Sequence, residues 1–513
     1  MGYLIGVDIG TTGGKTLICD ESGKVPATTT TEYPLYSPNP LWTEQDPADW
    51  WKSTCDSIRR VLDKAAVRGS EVSGIGLSGQ MHGLVMLDKD NNVIRPAILR
   101  DDQRAMAERR NIADIIGRDR LTGLGCNPQL AGFTAPKILW VRRNEPQNYE
   151  KCRRILLPKD YVRFMLSGTF ATEVSDASGT LLLDTRKRAW GDDILKKLDI
   201  DRGLLPDCSE SHNASAQVTP SVAAGLGIPA GTPIVGGAGD LAAAAVANGI
   251  VGSGVVSAAL GTSGVVVAVS DIPATDPEGR VHTFCHAAPG KWQVTGFMLA
   301  AGSSFQWLRN NLGETERTEA NKKNIDPYDV LTDKAAQARA GSDGLMFLPY
   351  LLGDLTPHVD PNAKGALVGL TMHHGKNELI RSVMEGITYG MRDSLEIIRG
   401  MRVEVREIRL SGGAAKSEFW RQMQADVYGE PVCAINATEG PAYGAALLAG
   451  VGTGVWATVQ EACESTIRVT NRYEPNRDNV AVYNEYYPIF QQLYRSLKAD
   501  FQTITEKTNR LHG

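Results

Sequence analysis

The sequence lacks the features that mark membrane, secreted and nucleic-acid-binding proteins. It has no stretch of about 18 apolar residues, so we expect no membrane-spanning helix. The N-terminus enters a strand-like run directly, with no basic region followed by an apolar stretch, so we expect no secretory signal. There is no long basic run, and 54 basic against 59 acidic residues give a net charge of −5. This balance argues against a nucleic-acid partner.

Paired cysteines are also missing. The eight cysteines are scattered and none forms a CxxC pair, which argues against both a disulfide framework and a zinc site. The pattern favours reduced thiols, and we expect a cytoplasmic protein. The residues are Cys19, Cys55, Cys126, Cys152, Cys208, Cys285, Cys433 and Cys463.

The chain of 513 residues is long for one hydrophobic core, so two domains are expected. Its 42% hydrophobic and 22% charged residues are ordinary for a globular enzyme. Strand-like runs alternate with helix-like segments, which predicts an α/β fold. A cluster of glycines near residue 250 suggests domains over 1–249 and 250–513, with a closing helix that could pack back on the first domain. The predicted helices are Asp49–Val67, Pro136–Arg143, Asn377–Arg399 and Tyr486–Phe501.

A glycine-rich and hydroxyl-rich turn between two strand-like runs occurs twice, about half the chain apart. The first copy contains Gly10, Thr11, Thr12 and Lys15, and the second contains Gly261, Thr262 and Ser263. Glycines there would tolerate a positive φ, and such turns direct backbone N–H groups and hydroxyls at a phosphate oxygen. Two copies predict two related domains that hold a polyphosphate between them.

Two other phosphate motifs fit poorly. Gly14-Lys15-Thr16 resembles the end of a P-loop, but the earlier glycine is replaced by Ile9 and a strand follows instead of a helix. Gly237-Ala-Gly239-Asp-Leu-Ala242 matches a dinucleotide fingerprint, yet Ser257–Ser263 has no acid where a ribose ligand is required. A dinucleotide-dependent oxidoreductase is therefore disfavoured, and a test of NAD binding would decide.

Two aspartates carry the candidate chemistry. Asp8 ends a strand just before the first turn, where a carboxylate beside phosphates requires a cation, so Mg²⁺ held directly or through water is expected. Asp240 begins an Ala-rich helix and is the candidate general base for phosphoryl transfer to a hydroxyl, with the helix end keeping it ionised. The plainer interpretations are a turn-capping aspartate and an N-cap.

Three further sets of residues are candidates for binding. Met81 and His82 follow a strand and could line a sugar site, although a lone histidine is more often structural. Arg100 and Asp102 offer charges for hydroxyls, although such a run is more often a solvated helix start. A third turn, with Gly412, Gly413, Ala414 and Ser417, follows a strand and precedes a helix, which suits an adenosine site or simply a tight turn.

With these motifs the chain resembles the FGGY carbohydrate kinases over nearly its whole length, and among them those that act on xylulose. The family signatures lie at Gly132–Asn144 and from Gly365 through Glu385, and the parts typical of the xylulose branch are Leu41–Pro47, Gly79–Gly83 and Leu156–Tyr161. The resemblance implies two actin-like, ribonuclease H-like domains, with a sugar in the cleft and ATP mainly on the second domain. It also implies that Met81 and His82 contact a ketose, that Asp240 accepts its proton and that Asp8 supports Mg-ATP. A homodimer is plausible from the family alone.

Three positions depart from the family pattern and leave the substrate open. Arg100-Asp101 replaces a usual Trp-Asn, Leu241 replaces a polar residue, and Ala414 replaces a glycine. The expected reaction is ATP-dependent phosphorylation of a ketopentose, D-xylulose first. The alternatives are a related kinase for ribulose, glycerol or fuculose, which a substrate screen would identify, and an idle actin-like protein that binds ATP without sugar-dependent turnover.

Overall fold

The computed structural model describes residues 2–117, 123, 127, 132–437 and 439–512, so Cys126 lies outside the described residues. By its contacts the chain divides into two compact units. The first comprises Met1–Gly252, Val269–Gln293 and Ala437–Arg468, and the second comprises Ser253–Ala268, Val294–Asn436 and Val469–Gly513. None of the described helices combines the length and the apolarity that a bilayer crossing requires.

The first unit is built on a mixed sheet of seven strands. Apolar alternation forms the hairpin of Tyr3–Ile9 and Gly13–Asp20, and Tyr3–Ile9 pairs in parallel with Val72–Gly79. Parallel pairing aligns the carboxyl ends of these strands at one edge, where the aspartates lie. The sheet order is Ala214–Gln217, Pro233–Val235, Val72–Gly79, Tyr3–Ile9, Gly13–Asp20 and Ala27–Glu32, with Ala238–Gly239 pairing beside Val72–Gly79.

A late helix covers this sheet at very short range. Pro441–Gly452 packs so closely that a Cβ atom at Gly6 would lie 1.9 Å from the Ala442 carbonyl oxygen, and one at Gly76 would lie 1.9 Å from that of Ala445. The first unit therefore needs a segment that the chain supplies only after most of the second unit. Its other helices are Pro47–Ala65, Met106–Ile116, Thr134–Asn144, Pro146–Lys151, Pro158–Ser167, Val174–Ala177, Asp192–Leu198, Pro220–Leu226, Asp240–Ala247 and Val459–Thr466.

Smaller strands complete the first unit, and most pair two by two. The pairs are Glu44–Gln45 with Ala97–Ile98, Val85–Leu87 with Arg154–Leu156, Ala171–Glu173 with Asp207–Ser209, and Leu183–Asp184 with Ala189–Trp190. His282–Cys285 is a buried strand of this unit.

The second unit repeats the arrangement of the first. Gly254–Leu260 forms a hairpin with Gly264–Ser270 and pairs in parallel with Val405–Gly412. The sheet continues through Val432–Ile435 to Val469–Tyr473 on one side and through Trp292–Met298 on the other, and Met346–Leu348 pairs separately with Ala366–Val368. The helices are Gly302–Leu312, Glu314–Lys323, Pro327–Ala335, Lys376–Gly400, Glu418–Tyr428 and Arg477–His512.

The predicted α/β class with two sheet-containing domains is confirmed, and both predicted hairpins form. The predicted closing helix Tyr486–Phe501 is too short, because the observed helix begins at Arg477 and continues through Pro488 to His512. The proposed boundary at residue 249 remains a prediction about domain organisation.

Candidate active site

Backbone register places Asp8 and Asp240 at the same edge of the first sheet. Asp8 is the partner of Lys15 on one side and of Ser78 on the other, and Ser78 is the partner of Ala238. Paired residues in neighbouring strands project from the same face, and residues two apart share that face. Asp240 follows Ala238 by two positions, so the turn after Gly239 brings the second carboxylate towards the first.

The negative charge of Asp240 contributes to a raised pKa of Asp8. Burial, followed by the negative charge of Asp240, raises the pKa of Asp8 to about 7, while the Ser78 hydroxyl and the Lys15 ammonium oppose the shift. Asp8 Oδ1 is buried and accepts no hydrogen bond from the described residues. An ionised carboxylate with an unsatisfied buried oxygen is costly, and a cation would relieve that cost.

Asp240 lies at the first position of the helix Asp240–Ala247, as predicted. Its Oδ1 accepts a hydrogen bond of 2.8 Å from the Leu241 backbone N–H. The helix start acts in the predicted direction, because the Leu241 backbone N–H lowers the pKa of Asp240, but its effect is outweighed. Burial raises the pKa of Asp240 above its usual range and outweighs the opposing effects of Arg100 and the Leu241 N–H. A carboxylate with a raised pKa is a better proton acceptor.

These carboxylates suit Mg²⁺ as part of a substrate complex. No group of three or more His, Cys, Asp or Glu side chains with metal-site geometry occurs among the residues that the structure describes. Mg²⁺ is commonly held by one or two carboxylates together with substrate phosphates and water. The orphaned Oδ1 of Asp8 is a hard oxygen of the kind this ion prefers.

The first turn is a tight hairpin closed by a bond of 3.1 Å from the Gly10 N–H to the Gly13 carbonyl. Its glycines do not adopt positive φ, so the predicted reason for them is wrong. Close approach explains two of them, since a Cβ at Gly13 would lie 2.9 Å from the Thr31 carbonyl oxygen and one at Gly14 would lie 2.8 Å from Ser53 Oγ. Thr12 is exposed, whereas the Lys15 ammonium lies 2.7 Å from Glu439 Oε2.

Two buried glutamines fix this turn, and sequence reasoning missed them. Gln80 Nε2 donates to the Gly10 carbonyl at 3.3 Å and to Gln45 Oε1 at 2.9 Å, while Gln45 Nε2 donates to the Thr11 carbonyl at 2.6 Å. Thr11 Oγ1 lies 3.4 Å from Gln80 Oε1. Both glutamines lie in motifs typical of the xylulose branch, but nothing local in the sequence connects them to Gly10.

His82 is strained, buried and neutral. It has φ of 71°, in the left-handed region that non-glycine residues rarely adopt. Burial holds the pKa of His82 well below its usual range, with the Gly179 hydrogen bond opposing and the Lys137 and Arg100 charges adding to the shift. Nδ1 lies 2.6 Å from the Gly179 carbonyl, which only accepts, so Nδ1 carries the proton. Nε2 is therefore an acceptor, which suits a substrate hydroxyl.

Three residues that the sequence did not single out hold His82 in this conformation. Thr134 Oγ1 and Lys137 Nζ donate to the His82 carbonyl at 3.1 and 2.9 Å. A Cβ at Gly179 would lie 2.7 Å from the His82 ring and 2.9 Å from Met81 Cε. Thr134 and Lys137 lie inside the Gly132–Asn144 signature, so a signal existed, but their common partner is about 50 residues earlier in the chain.

Arg100 and Asp102 have different surroundings. The Arg100 side chain is 44% exposed, and its charge lowers the pKa of both Asp240 and His82, which places it beside the candidate site. Asp102 is fully buried. Its carboxylate accepts from the Arg104 guanidinium at 2.7 Å and from the Thr43 N–H at 2.7 Å. The structure therefore groups Met81, His82, Arg100 and Asp240, whereas Asp102 already has internal partners.

The second and third turns adjoin each other in the second unit. Leu260 is the register partner of Gly412, and a Cβ at Gly412, which has φ of 83°, would lie 2.4 Å from the Leu260 carbonyl oxygen. Gly261, Thr262 and Ser263 are exposed, and the N–H groups of Gly302 and Ser303 bond the Gly261 and Thr262 carbonyls at 2.9 and 3.1 Å. Gly413 is exposed, Ala414 is buried and Ser417 caps the helix Glu418–Tyr428.

Comparison with known proteins decides the family. Residues 3–247 match the model of the FGGY family of carbohydrate kinases, N-terminal domain, and residues 256–453 match that of the C-terminal domain. The chain belongs to the FGGY family of carbohydrate kinases. It is 36% identical to a xylulose kinase of Bacillus subtilis (strain 168) over 97% of this chain and 98% of that protein. For a xylulose kinase of Escherichia coli (strain K12) the identity is 37%, over 96% and 99%.

A crystal structure of a Brucella ovis protein described as a xyloylose kinase matches this FGGY chain with a TM-score of 0.88 and 32% identity. The match covers 97% of this chain and 99% of that one. The predicted actin-like two-domain fold and the predicted ATP-dependent sugar kinase activity are therefore confirmed. As a kinase of this family, the enzyme takes ATP as its phosphoryl donor.

Proposed function

We propose that this kinase phosphorylates D-xylulose at its terminal 5-hydroxyl, giving D-xylulose 5-phosphate. The observation that carries the proposal is the proximity of Asp240 to His82. Met81 lies against both Gly179, which contacts the His82 ring, and Gly239, which precedes Asp240. The charge of Arg100 acts on both Asp240 and His82. The xylulose kinases that match nearly the whole chain supply the substrate class.

In this proposal Asp240 accepts the proton of the 5-hydroxyl as that oxygen attacks the γ-phosphorus of ATP. The bond from the γ-phosphorus to the β–γ bridging oxygen breaks, and ADP leaves. His82 Nε2 accepts a hydrogen bond from another sugar hydroxyl, and Met81 packs beside it against Gly179 and Gly239. The positive charge of Arg100 lowers the pKa of Asp240 and so favours the ionised form, which can take the proton. General-base catalysis of this kind contributes about 10²–10⁴-fold in rate.

Asp8 would hold Mg²⁺, directly or through water, and the ion would supply charge neutralisation for the phosphates. The first turn, Gly10–Lys15, would cradle phosphate oxygens with its backbone, held rigid by Gln80 and Gln45. Gly261, Thr262 and Ser263 would contact phosphates as well, and Gly412, Gly413, Ala414 and Ser417 would line the adenosine site.

A substrate screen tests the proposal. Purified enzyme with Mg-ATP is assayed for ADP release with D-xylulose, ribulose, gluconate, glycerol and fuculose, and we expect the highest kcat/KM with D-xylulose. Asp240→Asn should lower kcat by about 10²–10⁴-fold and leave ADP affinity within about twofold. Asp192→Asn, an exposed acid at another helix start, is the matched control. No stimulation by any sugar, or full activity of Asp240→Asn, would overturn the proposal.

One observation favours a related kinase as a second candidate. Arg100 is a partly exposed cation beside the site, at a position where the resemblance to the xylulose branch predicts a tryptophan. A guanidinium offers several hydrogen-bond donors and a charge, which would suit a more oxidised or more hydroxylated substrate. The same screen separates the candidates by the ratio of their kcat/KM values.

A further inference from the structure

A buried charged cluster lies behind the turn that carries Asp240. Five charged side chains in it are fully buried: Lys159, Asp160, Arg163, Glu173 and Asp176. Lys159 Nζ lies 2.6 Å from Asp160, 3.5 Å from Glu173 and 3.4 Å from Asp176. Buried ion pairs seldom add net stability over apolar packing, so their presence calls for another explanation.

Glu173 is the centre of this cluster because it accepts the most hydrogen bonds. Its carboxylate accepts from the Ser175 N–H at 2.8 Å, from Ser175 Oγ at 2.9 Å and from the Asp176 N–H at 2.9 Å. Ser211 Oγ adds a bond of 2.6 Å. With these donors and the Lys159 ammonium, the Glu173 side chain has a single well-defined position.

The cluster forms hydrogen bonds with both ends of the loop Gly236–Gly239, which leads into Asp240. At the far end the Arg163 guanidinium donates to the Gly236 carbonyl, and at the near end the Gly239 N–H donates to Ser175 Oγ at 3.1 Å. Between them Gly237 has φ of 68°, and a Cβ there would lie 1.9 Å from the Leu77 carbonyl oxygen. The Ala238–Gly239 peptide, one residue before Asp240, is therefore fixed by two successive hydrogen bonds, from the Gly239 N–H to Ser175 Oγ and from the Ser175 hydroxyl to Glu173.

We infer that Ser175, backed by Glu173, is a positioning residue for the general base Asp240. The inference rests on the proposed function. Phosphoryl transfer depends on placing the base within hydrogen-bond reach of the attacking hydroxyl, and a misplacement of about 1 Å can cost about 10²-fold in rate. Ser175 itself is buried and acts through the backbone of Gly239.

A neighbouring serine offers a matched control. Ser178 is also buried, and its Oγ donates to the Ser175 carbonyl at 2.7 Å and accepts from the Cys285 N–H at 3.1 Å. It has the same side chain, a similar environment and two hydrogen bonds, but none of these bonds involves residues 236–240. Ser178→Ala leaves the Ser175 hydroxyl and its hydrogen bond with Gly239 in place. A general loss of local packing would therefore lower kcat in both variants, whereas a loss of base positioning would lower it only in Ser175→Ala.

The test compares Ser175→Ala and Ser178→Ala in the full-length enzyme with the preferred sugar of the screen. We expect Ser175→Ala to lower kcat about tenfold or more, with the KM values for sugar and ATP within about twofold of wild type. Its solvent deuterium isotope effect on kcat should increase, because proton transfer to a misplaced base becomes rate-limiting. Ser178→Ala should keep kcat within about twofold, and melting temperatures show that both variants are folded.

The possible outcomes distinguish a failure of the positioning role of Ser175 from a failure of the proposed function. An active wild type whose Ser175→Ala variant keeps kcat and its isotope effect would overturn the positioning role alone. Equal losses of kcat in both variants, with matching losses of melting temperature, would also overturn it, because the serine would then be merely structural. A wild type that phosphorylates no sugar would overturn the proposed function and this inference together.

Discussion

At the scale of single residues, the carboxylate of Asp8 should cost the free enzyme stability. Its pKa in the folded protein is about 7 against an ordinary value of 3.8, so the folded state binds the proton more tightly than the unfolded state does. For an acid shifted upwards, the stabilising contribution is complete below pH 3.8 and is lost as the pH rises through 7. A charged Asp8 with no cation beside it therefore destabilises the fold at alkaline pH.

We expect Asp8→Asn to melt a few degrees higher than wild type at pH 8 in the absence of nucleotide and Mg²⁺, although it should lose kinase activity. The gap in melting temperature should narrow at pH 5, where Asp8 is largely protonated. Thermal unfolding at the two pH values provides the measurement, with Asp192→Asn as an exposed control. A gap of the same size at both pH values would show that burial does not shift the pKa of Asp8.

Arg100 should set the acid limb of the pH profile. Its positive charge lowers the pKa of Asp240, so its removal should raise that pKa further. In Arg100→Gln, the acid limb of kcat/KM for the sugar should therefore move to higher pH. Arg110→Gln, an exposed arginine on the helix Met106–Ile116, should leave the profile unchanged. An acid limb that does not move in Arg100→Gln would exclude electrostatic coupling between Arg100 and Asp240.

At the scale of elements, the helix Thr134–Asn144 holds the strained backbone of His82. Lys137→Met removes one of the two donors to the His82 carbonyl and so weakens the support for a left-handed residue, a conformation that costs about 1–3 kcal/mol. We expect the KM for the sugar to rise about tenfold, with the KM for ATP within about twofold.

Initial-rate kinetics with each substrate varied in turn check this expectation for Lys137. The control is Lys151→Met, an exposed lysine on the helix Pro146–Lys151, which should behave as wild type. An unchanged sugar KM in Lys137→Met would mean that Thr134 alone is sufficient to hold His82.

The hairpins and the helix of Asp240 could be predicted because local patterns specify them. Alternating apolar residues and a short turn determine Tyr3–Asp20, and an alanine run after Gly239 determines the helix. The contacts of His82 could not be predicted, because Gly179 and Lys137 reach it from distant parts of the chain. The charged run predicts that Asp102 holds sugar hydroxyls, whereas in the structure its carboxylate is paired with the Arg104 guanidinium.

At the scale of the whole molecule, the first unit is assembled from three separate segments. The helix Pro441–Gly452 covers strands that contain Gly6 and Gly76, and its carbonyl oxygens occupy the space that side chains would need. The predicted boundary at residue 249 does not include this late helix. Nothing within residues 1–249 indicates that their sheet requires a helix from beyond residue 440.

We expect a fragment of residues 1–293 to lack a cooperative thermal transition, although it contains two of the three segments of the first unit. Without Pro441–Gly452, the glycine-rich face of its sheet loses its apolar cover. Circular dichroism during heating, with the full-length chain as control, makes the comparison. A fragment with a sharp melt and native-like secondary structure would show that the late helix is dispensable for this fold.

The three-segment first unit also determines when the enzyme can mature during its synthesis. Translation adds about 5–20 residues per second, so about 10–40 s separate the emergence of residue 252 from that of residue 468. Throughout that interval the nascent N-terminal half exposes a sheet face that it cannot yet bury. We therefore expect the ribosome-bound intermediate to bind chaperones. The surroundings of the candidate base Asp240 become native only after the last segment of the first unit has been synthesised.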